Sequence, residues 1–206
     1  MKTANLFILL TIIFFSFVSQ NEFVVVDEPE SILKQLKQVA DKTNSIKAFY
    51  TEEKFISVLS NSQIAKGKFY YQKEDKMRWE QTVPYEYIIL ISGESLRIKD
   101  NGKEKQINQS NQVAVKINSF MMTLIQGDYQ NNDQLSSRCL QSKDQYLIEL
   151  TPTTKSLKKI YSKLNLYFSK EDKRLGVIEF FEEGGDKKIV TSVSYTHLTL
   201  PTICSV

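Results

Sequence analysis

The sequence has very few of the side chains that carry most metal and nucleophilic chemistry. It contains one histidine, His197, and two cysteines, Cys139 and Cys204. Metal sites need several clustered His, Cys or carboxylate ligands, so a metal site of the usual kinds is not expected. A serine or cysteine nucleophile would depend on His197 as its base.

Glycine is also scarce, with seven residues in the chain, and neither a glycine-rich phosphate loop nor a GxSxG nucleophile elbow is present. Several carboxylates are formally available for acid–base chemistry, but we interpret them as solvated strand edges and turns. They are Glu52, Glu53, Glu74, Asp75, Glu182, Glu183 and Asp186. The sequence therefore predicts a protein that is not an enzyme, with no catalytic residue and no cofactor.

Neither sign of charge dominates. Lys and Arg number 27 against 24 Asp and Glu, for a net charge of +3. This balance does not favour nucleic acid or an anionic membrane surface as a partner. With 206 residues and 41% hydrophobic residues, the chain fits one globular domain with a real core plus a short extra segment.

The N-terminus carries a long apolar run, Leu6–Val18, preceded by Lys2. The run is shorter than the ~18 residues that a membrane-spanning helix needs, which favours a secretory signal peptide. We expect cleavage after Ser19 or Gln20, so that residues 1–20 are the signal and residues 21–191 are the domain. An uncleaved anchor helix is the alternative.

Two segments have apolar residues at helical spacing. Residues 28–43 form one, with Pro29 suited to the first turn. A second, short amphipathic helix is predicted around Ile117 to Ile125, with Gly127 just past its end. Each helix is expected to bury one apolar side.

Most of the remaining chain alternates apolar and polar residues with a period of two, which predicts strands. Short joints such as Asn101-Gly102 indicate antiparallel pairing. About ten strands with one helix before them and one within the series predict a mainly β (α+β) fold built on one curved sheet. The predicted strands are residues 46–60, 65–73, 76–83, 85–91, 95–100, 103–109, 145–151, 159–168, 176–182 and 187–191.

Aromatic and aliphatic side chains share one face of several predicted strands, as Phe69 does with Tyr71 and Met77 with Trp79. A strongly curved sheet with only two short helices has more concave apolar surface than those helices obviously fill. This permits a ligand cavity. An ordinary packed core is the alternative.

The runs IKAFYTEEKF and GKFYYQKEDKMRWEQTVPYEYIILISGESLRIKDNG resemble the outer-membrane lipoprotein carrier LolA and its relatives. The family pattern is an early aromatic, a Gly-aromatic strand, a basic residue, a Trp-containing strand, a Pro, and an Ile/Val strand that closes on Gly. With the two predicted helices, the resemblance spans about residues 28–191. The matching positions are Tyr50 with Glu52, Gly67 with Phe69, Lys73, Arg78 with Trp79, Pro84, Ile88 to Ile91, and Gly93 with Leu96.

The resemblance implies an unclosed antiparallel β-barrel of about ten to eleven strands with a helical lid. It also implies a carrier in the periplasm of a Gram-negative bacterium. Such a carrier takes acylated lipoproteins from an inner-membrane exporter and delivers them to an outer-membrane receptor or membrane, as a monomer and without nucleic acid. Exposing acyl chains to water costs about 0.8 kcal/mol per CH₂, which is why a soluble carrier needs an apolar cavity.

The resemblance also implies site residues. The family has an Arg followed by Pro at the end of its second strand, where this chain has Lys73 followed by Glu74. Lysine keeps the charge but loses the planar fork of donors, and we expect Lys73 to couple lid and barrel. The predicted acyl-chain cavity consists of Tyr50, Phe69, Tyr71, Trp79, Ile89, Ile91, Ile98, Phe120, Met121 and Leu124.

Two other functions remain open at this point. A lipid-binding or envelope-stress-sensing protein of the same fold would bind glycolipid or misplaced lipoprotein without shuttling. A plain periplasmic interaction domain would bind no acyl ligand at all.

The C-terminal stretch VSYTHLTLPTICSV differs from the preceding Lys/Glu-rich strands because every residue from Ser192 onward is uncharged. VSYTHLTLPT resembles the translation of a transposon-end adaptor from sequencing libraries, and an index followed by a stop codon accounts for Ile203 to Val206. We interpret residues 192–206 as this adaptor on a truncated gene, and His197 and Cys204 as members of no site. The strand at residues 187–191 is then expected to have an unpaired edge, or one patched by the tail.

Overall fold

The fold is known from a computed structural model of the chain. The predicted signal peptide, residues 1–20, and residues 197–206 of the predicted adaptor tail lie outside the described residues. Among the described residues, no helix combines the length and the apolarity that crossing a membrane requires. The structure describes residues 22–73, 75–93, 95–107, 112–129 and 132–196.

Twelve strands and three helices form the described part of the chain. The strands are β1 (Val24–Val25), β2 (Ser45–Phe55), β3 (Gln63–Gln72), β4 (Lys76–Val83), β5 (Tyr87–Ser92), β6 (Ser95–Asp100), β7 (Lys103–Ile107), β8 (Leu135–Gln141), β9 (Gln145–Pro152), β10 (Lys163–Ser169), β11 (Leu175–Phe181) and β12 (Lys187–Thr196). The helices are α1 (Glu30–Lys42), α2 (Gln112–Gln126) and α3 (Lys155–Lys158).

All twelve strands belong to one antiparallel sheet in the order β1-β8-β9-β10-β11-β12-β2-β3-β4-β5-β6-β7. In the described residues β1 and β7 lie at opposite ends of this order and do not pair, so the barrel is unclosed. The predicted mainly β fold, an unclosed antiparallel barrel with few helices, is confirmed. The longest connection in sequence between neighbours joins β12 to β2, at the middle of the sheet.

Three elements are absent from the sequence prediction: β1, β8 and α3. Strand β8 has the sequence LSSRCLQ, in which two serines and an arginine hide the alternation of buried Leu135 and Cys139. The predicted strand at residues 159–168 begins instead at Lys163, because α3 and a turn come before it. The structure therefore has twelve strands, whereas ten to eleven were predicted.

Strand β12 pairs with neighbours on both sides. Val190 lies opposite Ile178 of β11 and opposite Glu52 of β2. The prediction that the edge at residues 187–191 is unpaired or patched by the tail is therefore wrong, because β2 covers that edge. Residues 192–196, the first part of the predicted adaptor tail, continue β12 along β2 as far as Lys47.

Helix α1 begins one residue after Pro29 and ends before Thr43, within the predicted 28–43. Its apolar spacing buries Ile32, Leu33 and Leu36 against the concave face of the sheet. The acidic first turn and the basic last turn, at Glu30 and Lys42, match the sign of the helix dipole. Burial of one side thus fixes α1 across the sheet.

Helix α2 covers the other part of the concave face and ends at Gln126, immediately before Gly127, whose φ of +71° suits glycine. A side chain at Gly127 would meet Ala40 and Lys37, because the end of α2 packs against α1. Phe120 and Leu124 of α2 join the core that α1 covers, whereas Met122 joins a second cluster on β3 to β6. The two helices together form an incomplete lid over the sheet.

Candidate functional site

Tyr50 and Trp79 meet at the centre of the concave face. The indole Nε1 of Trp79 donates a hydrogen bond of 2.6 Å to the Tyr50 hydroxyl, and the two ring centroids lie 5.0 Å apart. Tyr50 is opposite Gly67 on the neighbouring strand. A Cβ at Gly67 would lie 2.5 Å from the Tyr50 hydroxyl and 2.0 Å from the Glu80 carbonyl oxygen, so only glycine leaves room for this arrangement.

A cavity of about 150 Å³ opens beside this pair, between the concave face and the last turns of α1 and α2. Its wall is almost entirely aliphatic and aromatic, which is the chemistry expected of a site for hydrocarbon rather than for a polar metabolite. We call this cavity the pocket. It is lined by Leu36, Val39, Ala40, Thr43, Ile46, Ala48, Tyr50, Phe69, Tyr71, Trp79, Met121, Leu124, Ile125, Gly127, Tyr129, Phe168, Lys173, Arg174, Leu175, Gly176, Ile178, Val190 and Ser192.

Six of the ten residues predicted for the acyl-chain cavity line the pocket. They are Tyr50, Phe69, Tyr71, Trp79, Met121 and Leu124. The other four, Ile89, Ile91, Ile98 and Phe120, lie elsewhere on the concave side.

Those four residues are held in three different ways. Ile91 is fully buried in the second cluster beside Met77, and Phe120 stacks on Tyr161 at 5.9 Å in the main core. Ile89 and Ile98 are half-buried and continue the cross-strand row that begins at Phe69 and passes through Trp79. They therefore extend the apolar surface sideways from the pocket without enclosing it.

Sequence reasoning missed the far wall of the pocket, which α1 and strands β10 to β12 provide. The helical spacing of Leu36 and Val39 indicates an apolar helix side but does not mark them as cavity residues. Phe168, Ile178 and Val190 line the same pocket as Tyr50 because β12 pairs with β2, a long-range pairing that local alternation does not encode. The period-two signal identifies their shared face and not the strand they meet.

Basic residues stand at one side of the pocket, on the turn between β10 and β11. Lys173 and Arg174 are the charged residues in the lining. The Lys173 ammonium lies 5.3 Å from the ring centroid of Tyr146, and Arg174 Nε is 3.5 Å from an Asp172 carboxylate oxygen. The turn thus places cations beside an otherwise apolar wall.

The two tyrosine hydroxyls whose pKa is raised by burial stay uncharged in the pocket. Burial raises the pKa of the Tyr50 hydroxyl well above its ordinary value, although the hydrogen bond from Trp79 acts in the opposite direction. Burial likewise raises the pKa of Tyr71. Tyr50 and Tyr71 therefore present neutral rings to a bound molecule at any physiological pH.

Lys73 connects the end of β3 to the end of α1. Its ammonium donates a 2.9 Å hydrogen bond to the backbone carbonyl of Asp41, and its backbone N–H donates to the Asn44 carbonyl at 2.8 Å. A lysine thus reaches a carbonyl at the end of the lid helix, although it offers one point charge in place of a planar fork.

Two further polar contacts hold the lid. Gln126, the last residue of α2, donates to the Asp75 carboxylate at 2.9 Å, and Lys37 of α1 forms an ion pair of 3.1 Å with Asp128. The first ties α2 to the turn after β3, and the second ties the two helices to each other. All of these side chains are exposed or partly exposed at the surface.

The described residues offer little for metal or thiol chemistry. No group of three His, Cys, Asp or Glu side chains among them is placed to hold a metal ion. Cys139 is a free, buried cysteine whose thiol pKa is raised by burial. It packs in the core rather than in the pocket.

Comparisons with known proteins identify a family and a fold. The family model that matches is the outer membrane lipoprotein carrier protein LolA, over residues 41–196. A comparison with curated proteins finds no match.

Solved structures match the fold at low identity. An uncharacterized conserved protein from Thermus thermophilus has 12% identity and a TM-score of 0.50, with 84% of this chain and 88% of that chain covered. A LolA superfamily protein from Nitrosomonas europaea has 13% identity and a TM-score of 0.45, with 86% and 96% covered. A chain of the Pseudomonas aeruginosa MucA/MucB complex has 12% identity and a TM-score of 0.49, with 84% of this chain and 58% of that chain covered.

Proposed function

The chain belongs to the family of outer membrane lipoprotein carrier proteins, LolA, and we propose that it carries the acyl chains of lipoproteins across the periplasm from the inner to the outer membrane. The observation that carries this proposal is the apolar pocket between the lid helices and the concave face. Exposing an acyl chain to water costs about 0.8 kcal/mol of free energy per CH₂, and the apolar wall of the pocket avoids this cost.

The pocket is too small for a full lipoprotein ligand. A cavity of about 150 Å³ accommodates a molecule on the scale of a single six-carbon ring, far smaller than a set of lipoprotein acyl chains. Binding therefore requires the lid helices to move away from the sheet. The half-buried Ile89 and Ile98 lie where the enlarged pocket would spread, next to Trp79.

The contacts that hold the lid suit repeated opening. The hydrogen bonds from Lys73 to Asp41 and from Gln126 to Asp75 lie at the surface, where such interactions contribute about 0–1 kcal/mol each. The larger cost of opening is the exposure of apolar lid side chains, which incoming acyl chains would cover again. Ligand binding thus compensates directly for lid movement.

Loading and release would depend on partners. The sequence has no phosphate-binding loop that would supply energy, so an inner-membrane exporter would load the protein and an outer-membrane receptor or the membrane would unload it. Each transfer moves the chains to a site that holds them better. This direction of transfer is what distinguishes a shuttle from a lipid sensor of the same fold.

The direct test is to identify what the protein binds. The protein would be purified from the periplasm of a Gram-negative host, extracted with organic solvent and analysed by mass spectrometry. We expect triacylated lipoprotein with the parent, a loss of it with Met121→Glu in the pocket, and no loss with Val24→Glu on the exposed strand β1. Glycolipid or phospholipid alone, or no acyl ligand, would reject lipoprotein transport.

Lys73 offers a second test of the same proposal. Lys73→Ala removes the hydrogen bond to Asp41, so we expect a looser lid and a several-fold change in transfer of lipoprotein to outer-membrane vesicles. Lys73→Arg restores a donor to the same carbonyl, and Lys103→Ala changes an exposed lysine remote from the lid. If Lys73→Ala accepted and delivered lipoprotein like the parent, coupling through Lys73 would be disproved.

A further inference from the structure

The hairpin between β2 and β3 differs in composition from the rest of the chain. Residues 55–65, FISVLSNSQIA, contain no charged residue, whereas 25% of the chain is charged. Lys54 and Lys66 stand immediately before and after this uncharged stretch. We call residues 55–65 the apolar hairpin tip.

Large hydrophobic side chains of the apolar hairpin tip face solvent. Val58 is 86% exposed, the highest value of any large hydrophobic residue among those described, and its neighbour Leu59 is 51% exposed. Ile64 and Phe55, at the base of the tip, are also exposed. Single exposed apolar residues are ordinary, but a group of them at the end of a projecting hairpin marks an interaction surface.

Hydrogen bonds to neighbouring residues order the apolar hairpin tip. The Ser57 backbone N–H and hydroxyl both donate to one carboxylate oxygen of Asp186, at 2.9 and 3.1 Å. Asp186 lies in the turn between β11 and β12. The Ser62 hydroxyl donates to Glu53 at 2.6 Å, and the Leu59 N–H donates to the Ile56 carbonyl at 2.9 Å. Because these bonds order the tip in advance, little conformational entropy is lost when it meets a partner.

The composition of the tip fits one kind of partner. Protein-binding hot spots are rich in Trp, Tyr and Arg, and the apolar hairpin tip contains none of these. An aliphatic end instead matches a bilayer, in which hydrocarbon takes the aliphatic side chains. The charged groups beside the tip are Lys54 and Lys66, whose ammonium groups phosphates attract, and Glu53 and Asp186, whose carboxylates accept hydrogen bonds from the tip serines. Lysine side chains have long apolar stems, which allow the ammonium groups of Lys54 and Lys66 to extend toward headgroups when the tip meets a bilayer.

We propose that the apolar hairpin tip is a membrane-contact device that inserts Val58 and Leu59 into the surface of a phospholipid bilayer. It lies at one end of β2, whereas the pocket is lined by Ile46, Ala48 and Tyr50 near the other end. Membrane contact and ligand enclosure therefore occupy opposite ends of one strand. The contact does not depend on acyl chains in the pocket and so goes beyond the function proposed above.

Vesicle flotation tests this inference with the full chain and vesicles of phosphatidylethanolamine and phosphatidylglycerol. We expect the parent to bind, and the double variant Val58→Ser, Leu59→Ser to bind at least about tenfold more weakly, because burial of each side chain is worth roughly that factor or more. The matched control is Val24→Ser, Val25→Ser, which removes two exposed valines from the remote strand β1. This control should bind like the parent.

The fluorescence of an introduced tryptophan gives an independent measurement of membrane contact. Val58→Trp should shift its emission to the blue when vesicles are added, and Val24→Trp should not. Equal binding by the double variant and the parent, or an unshifted Val58→Trp, would overturn the proposal. Unchanged vesicle binding together with lost cross-linking to an exporter would assign the tip to a protein groove and also overturn it.

The vesicle assay also separates this inference from the proposed function. The double variant should keep its pocket ligand by solvent extraction, and the pocket variant Met121→Glu should keep its vesicle binding. Lys54→Gln with Lys66→Gln should weaken binding severalfold to vesicles with phosphatidylglycerol and less to vesicles of phosphatidylethanolamine alone. The reverse order would contradict the assigned role of the two lysines.

Discussion

Two rows of side chains cross the concave face, and they differ in how completely they are covered. One row runs through Cys139, Ile148 and Leu166 on β8, β9 and β10, and its members are 4%, 0% and 0% exposed. The other runs from Phe69 through Trp79, Ile89 and Ile98 on β3 to β6, and every member is only half-buried. We call them the filled row and the open row.

The difference follows from the helices. The filled row lies under α1 and α3, which contribute Ile32, Leu33 and Leu157 to one continuous core with it. The open row lies under α2, through residues such as Met121 and Met122, and only Phe69 and Trp79 of the row also reach the pocket beside α1. A lid that seals one half of the sheet and leaves the other half partly uncovered makes the first half a scaffold and the second a surface for binding.

Truncating one side chain in each row tests whether the filled row and the open row differ in their contribution to stability. Leu166→Ala in the filled row should lower the free energy of unfolding by about 3–5 kcal/mol, because it leaves a cavity in fully packed surroundings. Ile98→Ala in the open row should cost about 1 kcal/mol, because that side chain is only half-buried. Urea denaturation followed by circular dichroism measures both values.

The same pair of variants separates stability from binding. Ile98→Ala should bind an apolar fluorescent dye more weakly than Leu166→Ala does at temperatures where both are folded. Equal losses of stability in the two variants would show that both rows belong to one evenly packed core and would disprove the difference between the filled and the open row.

A glycine on the open side supplies the next largest effect. Gly67→Ala places a Cβ 2.0 Å from the Glu80 carbonyl oxygen and 2.5 Å from the Tyr50 hydroxyl, so the backbone or Tyr50 must shift. We expect a loss of about 1–3 kcal/mol in the free energy of unfolding and a changed Trp79 emission. Gly184→Ala is the control, since a Cβ there meets nothing within 4 Å. An unaffected Gly67→Ala would mean that the Tyr50–Trp79 pair tolerates displacement.

The sequence predicted strands best where alternation and turn residues agree. β4 and β6 have the predicted bounds, and the turn between β6 and β7 has the predicted Asn101-Gly102. β8 was missed because Ser137 lies on the same inward face as Leu135 and Cys139, while Leu140 on the outward face is buried beside β1. Alternation fails where a small polar residue occupies an inward position and an apolar residue an outward one.

The pocket was only partly predictable, for a related reason. Period two shows that Trp79 and its cross-strand neighbours share a face, but it does not show how far a helix covers that face. Ile89 and Ile98 were therefore predicted together with Trp79, although the lid encloses only the latter. Val190 was missed because the pairing of β12 with β2 is set by contacts between distant parts of the chain.

The hydrogen bond from Trp79 to Tyr50 in the pocket is expected to contribute to stability. Tyr50→Phe leaves the Trp79 indole N–H without its partner while keeping the ring, so we expect a loss of about 1–2 kcal/mol in the free energy of unfolding. Trp79, the single tryptophan, should also shift its emission. Tyr85→Phe, at a 51% exposed ring, is the control and should change neither quantity. Equal behaviour of the two variants would place the Tyr50 hydroxyl outside the network.

The smallest predicted effect concerns the convex side of the filled half. Glu179 accepts hydrogen bonds from Tyr167 at 2.8 Å and Asn165 at 3.0 Å, and it pairs with Lys187 at 2.7 Å. Burial alone would raise the pKa of this carboxyl, but its bonds to Lys187, Tyr167 and Asn165 outweigh burial and leave the pKa below its ordinary 4.5. The ionised carboxylate is therefore favoured in the folded state.

A lowered pKa in the folded state gives stability that is present above pH 4.5 and is lost as the pH falls through the folded-state value. Glu179→Gln should therefore be less stable than the parent at neutral pH by up to about 1 kcal/mol, and the difference should shrink as the pH falls below 4.5. Chemical denaturation across this range measures it, with Glu183→Gln on an exposed turn as the control. A parent–variant difference that stays constant with pH would assign the contribution of Glu179 to its shape and hydrogen-bonding geometry rather than to its charge, and the filled half would then owe its stability to packing on both faces.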